Sequence, residues 1–187
     1  QNYYPDVTFI TKNKQKIALD LKSTYRKNYE AVSGFTLGAF TGYFRDRNSV
    51  KTIRFPYKDY LGHYVLGVIY SRSDGLLDER KVYQLCDLKK ITSVVKDFTF
   101  FIHEKYQIAS DNPGSGNTKN IGSAKKIDEL INGKGLFANL GEELFDDYWM
   151  FYLNKDMAKA VELKESPYKN LKAYMQYKKI KEKEWVD

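Results

Sequence analysis

Residues 4 to 22, YPDVTFITKNKQKIALDLK, constrain the fold more than any other stretch. VTFI and KIALDL are rich in β-branched and aliphatic residues, and the polar TKNKQK between them is a turn. The pair reads as a β-hairpin or as adjacent antiparallel strands. Asp6 opens the first strand after the φ-restricting Pro5, and Asp20 lies near the end of the second. Side chains alternate along a strand, so Asp20 and Lys22 project together while Leu19 and Leu21 are expected to point into the core. Asp6 can reach the Asp20 side from the neighbouring strand. Two carboxylates a few Å apart repel and raise one another's pKa unless a cation lies between them. Mg²⁺ suits such a place, because it takes oxygen ligands, keeps several waters and commonly uses one or two carboxylates plus a substrate phosphate. With the cation there, a bound water is acidified and Lys22 lies where negative charge develops on a phosphate. The same spacing also fits an Asp and a Lys paired at a strand edge for solubility, and spacing alone leaves both readings open.

The charge distribution bears on that choice. The chain has 187 residues and a formal net charge of +7. Residues 1 to 58 hold 11 Lys and Arg against 4 Asp and Glu, whereas residues 59 to 187 hold 20 of each, so the excess lies in the third that carries the hairpin. A positive field beside a carboxylate pair suits a polyanion, since lysines and arginines release counterions from nucleic-acid phosphates; a solvated basic face is the plainer alternative. A chain of this length buries roughly 70% of its unfolded surface and needs no staples. Cys86 is the single cysteine, so no internal disulfide forms and the chain suits a reducing cytoplasm. The longest apolar run, VLGVIY at 65 to 70, is far short of the ~20 residues that span a bilayer, and no leader is visible. These features predict a soluble, intracellular protein without a membrane partner.

Along the chain, KDYLGHYVLGVIYSR reads as a helix running into a buried strand, VLGVIY, and DFTFFIHEKYQIA at 97 to 109 as a strand pair. DNPGSGNTKNIGS at 111 to 123 reads as loop throughout. From Ala124 the pattern turns helical: KKIDELI, EELFDDYWMFYLN with apolar Leu144, Phe145, Tyr148, Trp149 and Tyr152, then YKNLKAYMQYKKIKEKE. Strands early and helices late predict an α+β class, a mixed sheet flanked by helices. No repeat or low-complexity linker divides the chain, so residues 1–187 are assigned to one domain. Gln1 stands five residues before Asp6 with nothing to cover the first strand, which leads us to expect a further amino-terminal segment in the native protein.

The loop is a candidate reader of bases. It is not a P-loop, which needs Gly-Lys-Ser/Thr, and Lys119 stands where a dinucleotide fingerprint needs its third glycine. Gly114 and Gly116 allow close backbone approach, Asn117 and Asn120 can pair with adenine in the major groove, and Thr118 can meet a thymine methyl. A surface turn has the same composition. His63 and His103 are too isolated for a zinc site and read as structural or surface residues.

Taken together, QNYYPD at 1 to 6, KIALDLKSTY at 16 to 25, FTLGAFTGYFR at 35 to 45, GSGNTKNIGS at 114 to 123 and GKGLF at 133 to 137 resemble the PD-(D/E)xK type II restriction endonucleases, in the same order and over essentially the whole chain. The resemblance implies a restriction-endonuclease-like core, with Asp6 and Asp20 as Mg²⁺ ligands (Mn²⁺ as a possible substitute) and Lys22 as the catalytic lysine. It places Gly114, Ser115, Gly116, Asn117, Thr118, Lys119 and Asn120 in a recognition loop entering the major groove. Gln1 and Asn2 match the end of a second loop near the minor groove, and Ser23, Thr24 and Thr36 match positions close to the DNA backbone. It further implies a bacterial homodimer on a palindrome, by analogy GATATC cut at its centre to blunt ends with 5′ phosphates, and a companion DNA methyltransferase. Some positions depart from the family. Lys119 replaces a threonine and Pro113 an alanine. The backbone lysine after FTLGAFTGYFR is shifted, with Arg47, Lys51 or Arg54 as substitutes, and a preceding helical dimerisation segment has no counterpart.

The expectation is therefore a Mg²⁺-dependent, sequence-specific double-strand deoxyribonuclease. Two rivals make different predictions. A repair or recombination nuclease with the same core cuts by DNA shape, and the base-reading loop speaks against it. A silent DNA-binding module binds without cutting, and intact Asp6, Asp20 and Lys22 speak against that.

Overall fold

The computed structural model describes residues 3–73, 80–91, 93–114 and 119–184. Strand β1 (Val7–Ile10) pairs antiparallel with β2 (Lys16–Tyr25), as the hairpin pattern predicts. The sheet continues with β4 (Tyr60–Arg72), parallel to β2, and β5 (Val95–Glu104), antiparallel to β4, in the order β1-β2-β4-β5. A second sheet in the order β3-β7-β6 joins β3 (Thr36–Ala39), β7 (Asn120–Ser123) and β6 (Ala109–Pro113). Four helices follow: α1 (Ile127–Ile131), α2 (Glu142–Phe151), α3 (Lys155–Ala160) and α4 (Leu171–Glu184). The mixed sheet with late helices is the α+β architecture expected. Among the described residues no helix is long and apolar enough to cross a membrane.

Four local readings of the sequence are corrected. No helix precedes VLGVIY: after a turn of 3-10 helix at Tyr57–Asp59, strand β4 runs unbroken from Tyr60, because its first residues pair with Lys16 and Ile17 of β2. Residues 97 to 109 are not a strand pair but one strand, a 3-10 turn at Lys105–Ile108, and the first residue of β6 in the other sheet. The glycine-rich segment is not loop throughout, since both flanks are strands held against each other, and β7 also pairs with β3. Finally, the cover of β2 departs from expectation beyond Leu19, which is buried as expected. Ala18, Asp20 and Thr24 are buried, and their neighbours across the sheet are His63, Val65 and Ile69. Leu21 is 49% exposed, on a face it shares with Ile102 and Phe100 of β5, also exposed.

The buried face owes its cover to one aromatic core. Phe40 packs on Trp149, Phe44 on Phe145 and Tyr57, and Tyr168 on Tyr148 and Tyr174, linking α2 and α4 to the sheet. Aromatic burial of this extent dominates core energetics. Close approach is built in at Gly67, where a Cβ would lie 1.9 Å from the Phe101 ring. The helix starts are stabilised locally. Glu142 and Glu143 occupy the first turn of α2, favourable to its dipole, and the Asn154 and Asn170 side chains accept from the amides of Met157 and Ala173 at 2.9 Å.

Candidate active site and loop-bearing hairpin

Antiparallel pairing matches Val7 with Leu19. One step further along the same register would bring Asp6, itself exposed, opposite the buried Asp20. There Asp6 Oδ2 accepts the Leu21 amide at 2.7 Å, and each carboxyl group acts on the other's proton affinity. Lys22 Nζ contacts Asp20 Oδ2 at 2.7 Å. The structure thus brings Asp6, Asp20 and Lys22 into one constellation, spaced by strand geometry.

The carboxylates are inequivalent. Burial pushes Asp20 up and outweighs the pull of Lys22 and Lys105 downward, with Asp6 adding to the rise. Burial also pushes Asp6 up, but the Leu21 amide, Asp20 and Lys22 together more than reverse it, so Asp6 lies below the usual carboxylate range. Such a pair titrates as a unit, with Asp20 the more basic member. Among the described residues no group of three or more His, Cys, Asp or Glu side chains stands ready for a metal. The donor set on offer is two carboxylates with hard oxygens, which is the number a hydrated Mg²⁺ commonly uses.

Around this site lie residues that the sequence pattern did not flag. Tyr4, Tyr43, Tyr57 and His63 stack beneath Asp20, with the Tyr57 and His63 rings 3.7 Å apart. Tyr4 Oη lies 2.8 Å from His63 Nδ1. Burial first, then the charges of Lys105 and Arg47, depress His63 to about 2, so its ring is neutral where it meets Tyr4. His63 is accordingly structural, and His103 bonds the Ile131 carbonyl at 2.8 Å. The aromatic residues come from four separate segments, so no spacing in the sequence announces them. Beside Asp6 opens a cleft of ≈ 630 Å³ lined by Tyr3, Pro5, Val50, Ile53 and Arg54, the last two held to the Tyr4 strand by a bridge at Ile53 and a 2.9 Å bond from the Arg54 amide to the Tyr4 carbonyl.

The loop candidates lie on the β6–β7 hairpin. The Gly114 amide donates to the Asn120 carbonyl at 2.9 Å, closing the base of the loop, and Lys119 is exposed, with its carbonyl accepting from the Phe40 amide. Thr36 faces Gly114 so closely that a Cβ there would meet its methyl at 2.4 Å. Ser115, Gly116, Asn117 and Thr118, like Gln1 and Asn2, lie outside the described residues. Ser23 is exposed, on the face opposite to Lys22. Thr24 is 3% exposed and its hydroxyl donates to the Gly34 carbonyl, so it joins β2 to the approach of β3. The Phe35 and Ser123 amides then complete the connection: Phe35 N–H donates to Ser123 Oγ and Ser123 N–H to the Phe35 carbonyl, both at 3.1 Å.

The comparisons with known proteins agree with this geometry. The family model described as restriction endonuclease EcoRV matches residues 1–179. The type II restriction enzyme EcoRV of Escherichia coli is 34% identical over 177 residues, covering 93% of this chain and 69% of that protein. A match that spans both the carboxylate hairpin and the β6–β7 hairpin settles the family: the chain belongs to the EcoRV family of type II restriction endonucleases, which are site-specific deoxyribonucleases.

Proposed function

We propose that this chain hydrolyses double-stranded DNA at a palindromic site, with Mg²⁺ as cofactor and Mn²⁺ as a working substitute. The observation that carries the reading is the Asp6–Asp20–Lys22 constellation: two carboxylates brought to one place by the β1–β2 pairing, one held by the Leu21 amide and the other with an ammonium 2.7 Å away. Asp6 and Asp20 would hold the metal through their carboxylate oxygens. When bound, a divalent cation supplies an acidified water and neutralises charge on the phosphate oxygens. Asp6 is fixed by the Leu21 amide and Asp20 by its place in the sheet, so the ligands are pre-positioned. Lys22 faces the same side and stabilises the negative charge that develops on the phosphate as a water attacks in line.

For the substrate, the likeness to EcoRV favours GATATC, cut at its centre to blunt ends with 5′ phosphates. The loop between Gly114 and Asn120 reads bases in the major groove; Ser23 and Thr36 contact the DNA backbone, and the buried Thr24 supports that contact from within β2. Residues 1–187 act as one catalytic and DNA-binding domain, working as a homodimer on the two-fold axis of the site. A companion methyltransferase protects the host DNA in a bacterial cytoplasm. The test is digestion of plasmids with and without one GATATC, in Mg²⁺, with the cut ends sequenced. Blunt ends only at that site are expected. Cutting at another sequence removes the inherited specificity and keeps the nuclease, and no cutting in Mg²⁺ or Mn²⁺ removes the metal-site reading.

A further inference from the structure

One buried charge next to this constellation has no role in the mechanism above. Lys105 opens the 3-10 turn after β5 and is 3% exposed. A buried ammonium is costly unless opposite charge and favourable contacts surround it. Its Nζ lies 4.5 Å from the centre of the Tyr4 ring and 5.3 Å from that of Tyr57, within cation–π range. The floor of this cage is Gly38, at φ +91°, where a Cβ would come within 3.2 Å of Tyr43 Oη and 4.0 Å of Nζ itself.

Aromatic faces alone do not offset such burial, and two carboxylates contribute. Burial lowers Lys105 to about 8, while Asp20 and then Asp146 act in the opposite direction. Asp146 pairs through Oδ2 with Arg47 at 2.9 Å, and its buried Oδ1 has no hydrogen-bond partner. Arg47 in turn lies 4.4 Å from the Tyr57 ring centre and 4.5 Å from that of Phe44. Lys105 thus feels a carboxylate from each of two ion pairs, Lys22–Asp20 and Arg47–Asp146. A methionine would fill the same space without desolvating a charge, so packing does not account for a lysine here.

We propose that Lys105 is a positioning residue of the catalytic centre, a fixed counter-charge on the protein side of Asp20. The inference rests on the reading of Asp6 and Asp20 as metal ligands. Lys22 is paired with Asp20 before substrate arrives and must turn towards the phosphate during the reaction. Lys105 cannot follow, being enclosed by Tyr4, Tyr57 and Gly38, so its amine stays in place when Lys22 turns away.

The experiment uses the native chain with isotope-labelled lysine, in which the Lys105 side-chain resonance is set apart by the Tyr4 and Tyr57 ring currents. Mg²⁺ is titrated in, and calorimetry measures its binding in parallel. The Lys105 signal is expected to move with the same midpoint as metal binding. A signal that stays still while Mg²⁺ binds overturns the proposal and leaves the metal site standing; absence of binding overturns both. Lys105→Met supplies a second measurement. Removing a nearby positive charge should tighten Mg²⁺ binding to the free protein about 3- to 10-fold by Coulomb attraction. It should also lower kcat about 10- to 100-fold, with KM for duplex nearly unchanged, as a misplaced ligand does. A folded Lys105→Met protein with unchanged Mg²⁺ affinity and kcat overturns the proposal, and if the variant does not fold the resonance of the native chain decides.

Discussion

Asp20 and His63 are both buried polar residues, and burial acts on them in opposite directions: it makes the carboxylate hold a proton more tightly and the imidazole release one. For Asp20 the consequence is catalytic. Asp20→Ala, like Asp6→Ala, should lower Mg²⁺-dependent cleavage by at least about a thousandfold, since a metal left with one carboxylate is poorly held. Plasmid cleavage rates, with circular dichroism to show the fold kept, check this; retained activity in either variant removes that residue from the metal site. For His63 the consequence is stability. Its folded pKa of about 2 lies below the value of an unfolded histidine, so above pH ~6.5 both states are neutral and folding is unaffected. As pH falls below that, the unfolded chain takes up a proton that the folded one refuses, and stability drops by up to about 1.4 kcal/mol per pH unit from this residue. Urea melts between pH 7 and 4.5 should show the decline, and His63→Gln should flatten it.

At the scale of elements, β1 and β2 were legible because alternation and a polar turn are local signals, and they carry Asp6, Asp20 and Lys22 together. Which face was covered was not legible. Leu21 looks like a core residue in the sequence, but cover comes from Phe40, Phe44 and α2, far along the chain, and these lie on the Asp20 side. Likewise β6 and β7 consist of residues with weak strand preference, Ser110, Asp111, Asn112 and Asn120 among them, and are made strands by pairing with each other, β7 also with β3. Lys105 was hidden for the same reason, since its cage comes from Tyr4, Gly38 and Tyr57. The hairpin is closely built: a Cβ at Gly122 would lie 2.4 Å from the Asn112 carbonyl oxygen and 2.9 Å from Ser110 Oγ. Gly122→Ala should therefore cost about 1 to 3 kcal/mol, as overpacking does, and weaken discrimination between the cognate site and its one-base variants. Urea melts and competition cleavage check both; a variant as stable and as selective as the parent contradicts the close packing.

For the whole molecule, the positive excess in residues 1 to 58 puts the cationic surface on the same segment as the carboxylates. Duplex binding in Ca²⁺ should weaken at least about a hundredfold between 50 and 200 mM salt, as counterion release from several phosphate contacts requires. Fluorescence anisotropy with labelled duplex measures this, and a flat salt dependence contradicts a phosphate-tracking surface. One feature of β2 reaches beyond affinity. The strand carries Asp20 in its middle and, four residues on, Thr24, whose hydroxyl ties it to Gly34 and so to the β3–β7–β6 sheet that bears the loop. That interval is about 13 Å of extended chain at roughly 3.3 Å per residue. On the proposed function, this single strand acts as a ruler between the carboxylates assigned to cutting and the loop assigned to selection. Exchanging loop residues would alter which sequence is chosen, but the offset between choice and cut would pass unchanged to every such variant.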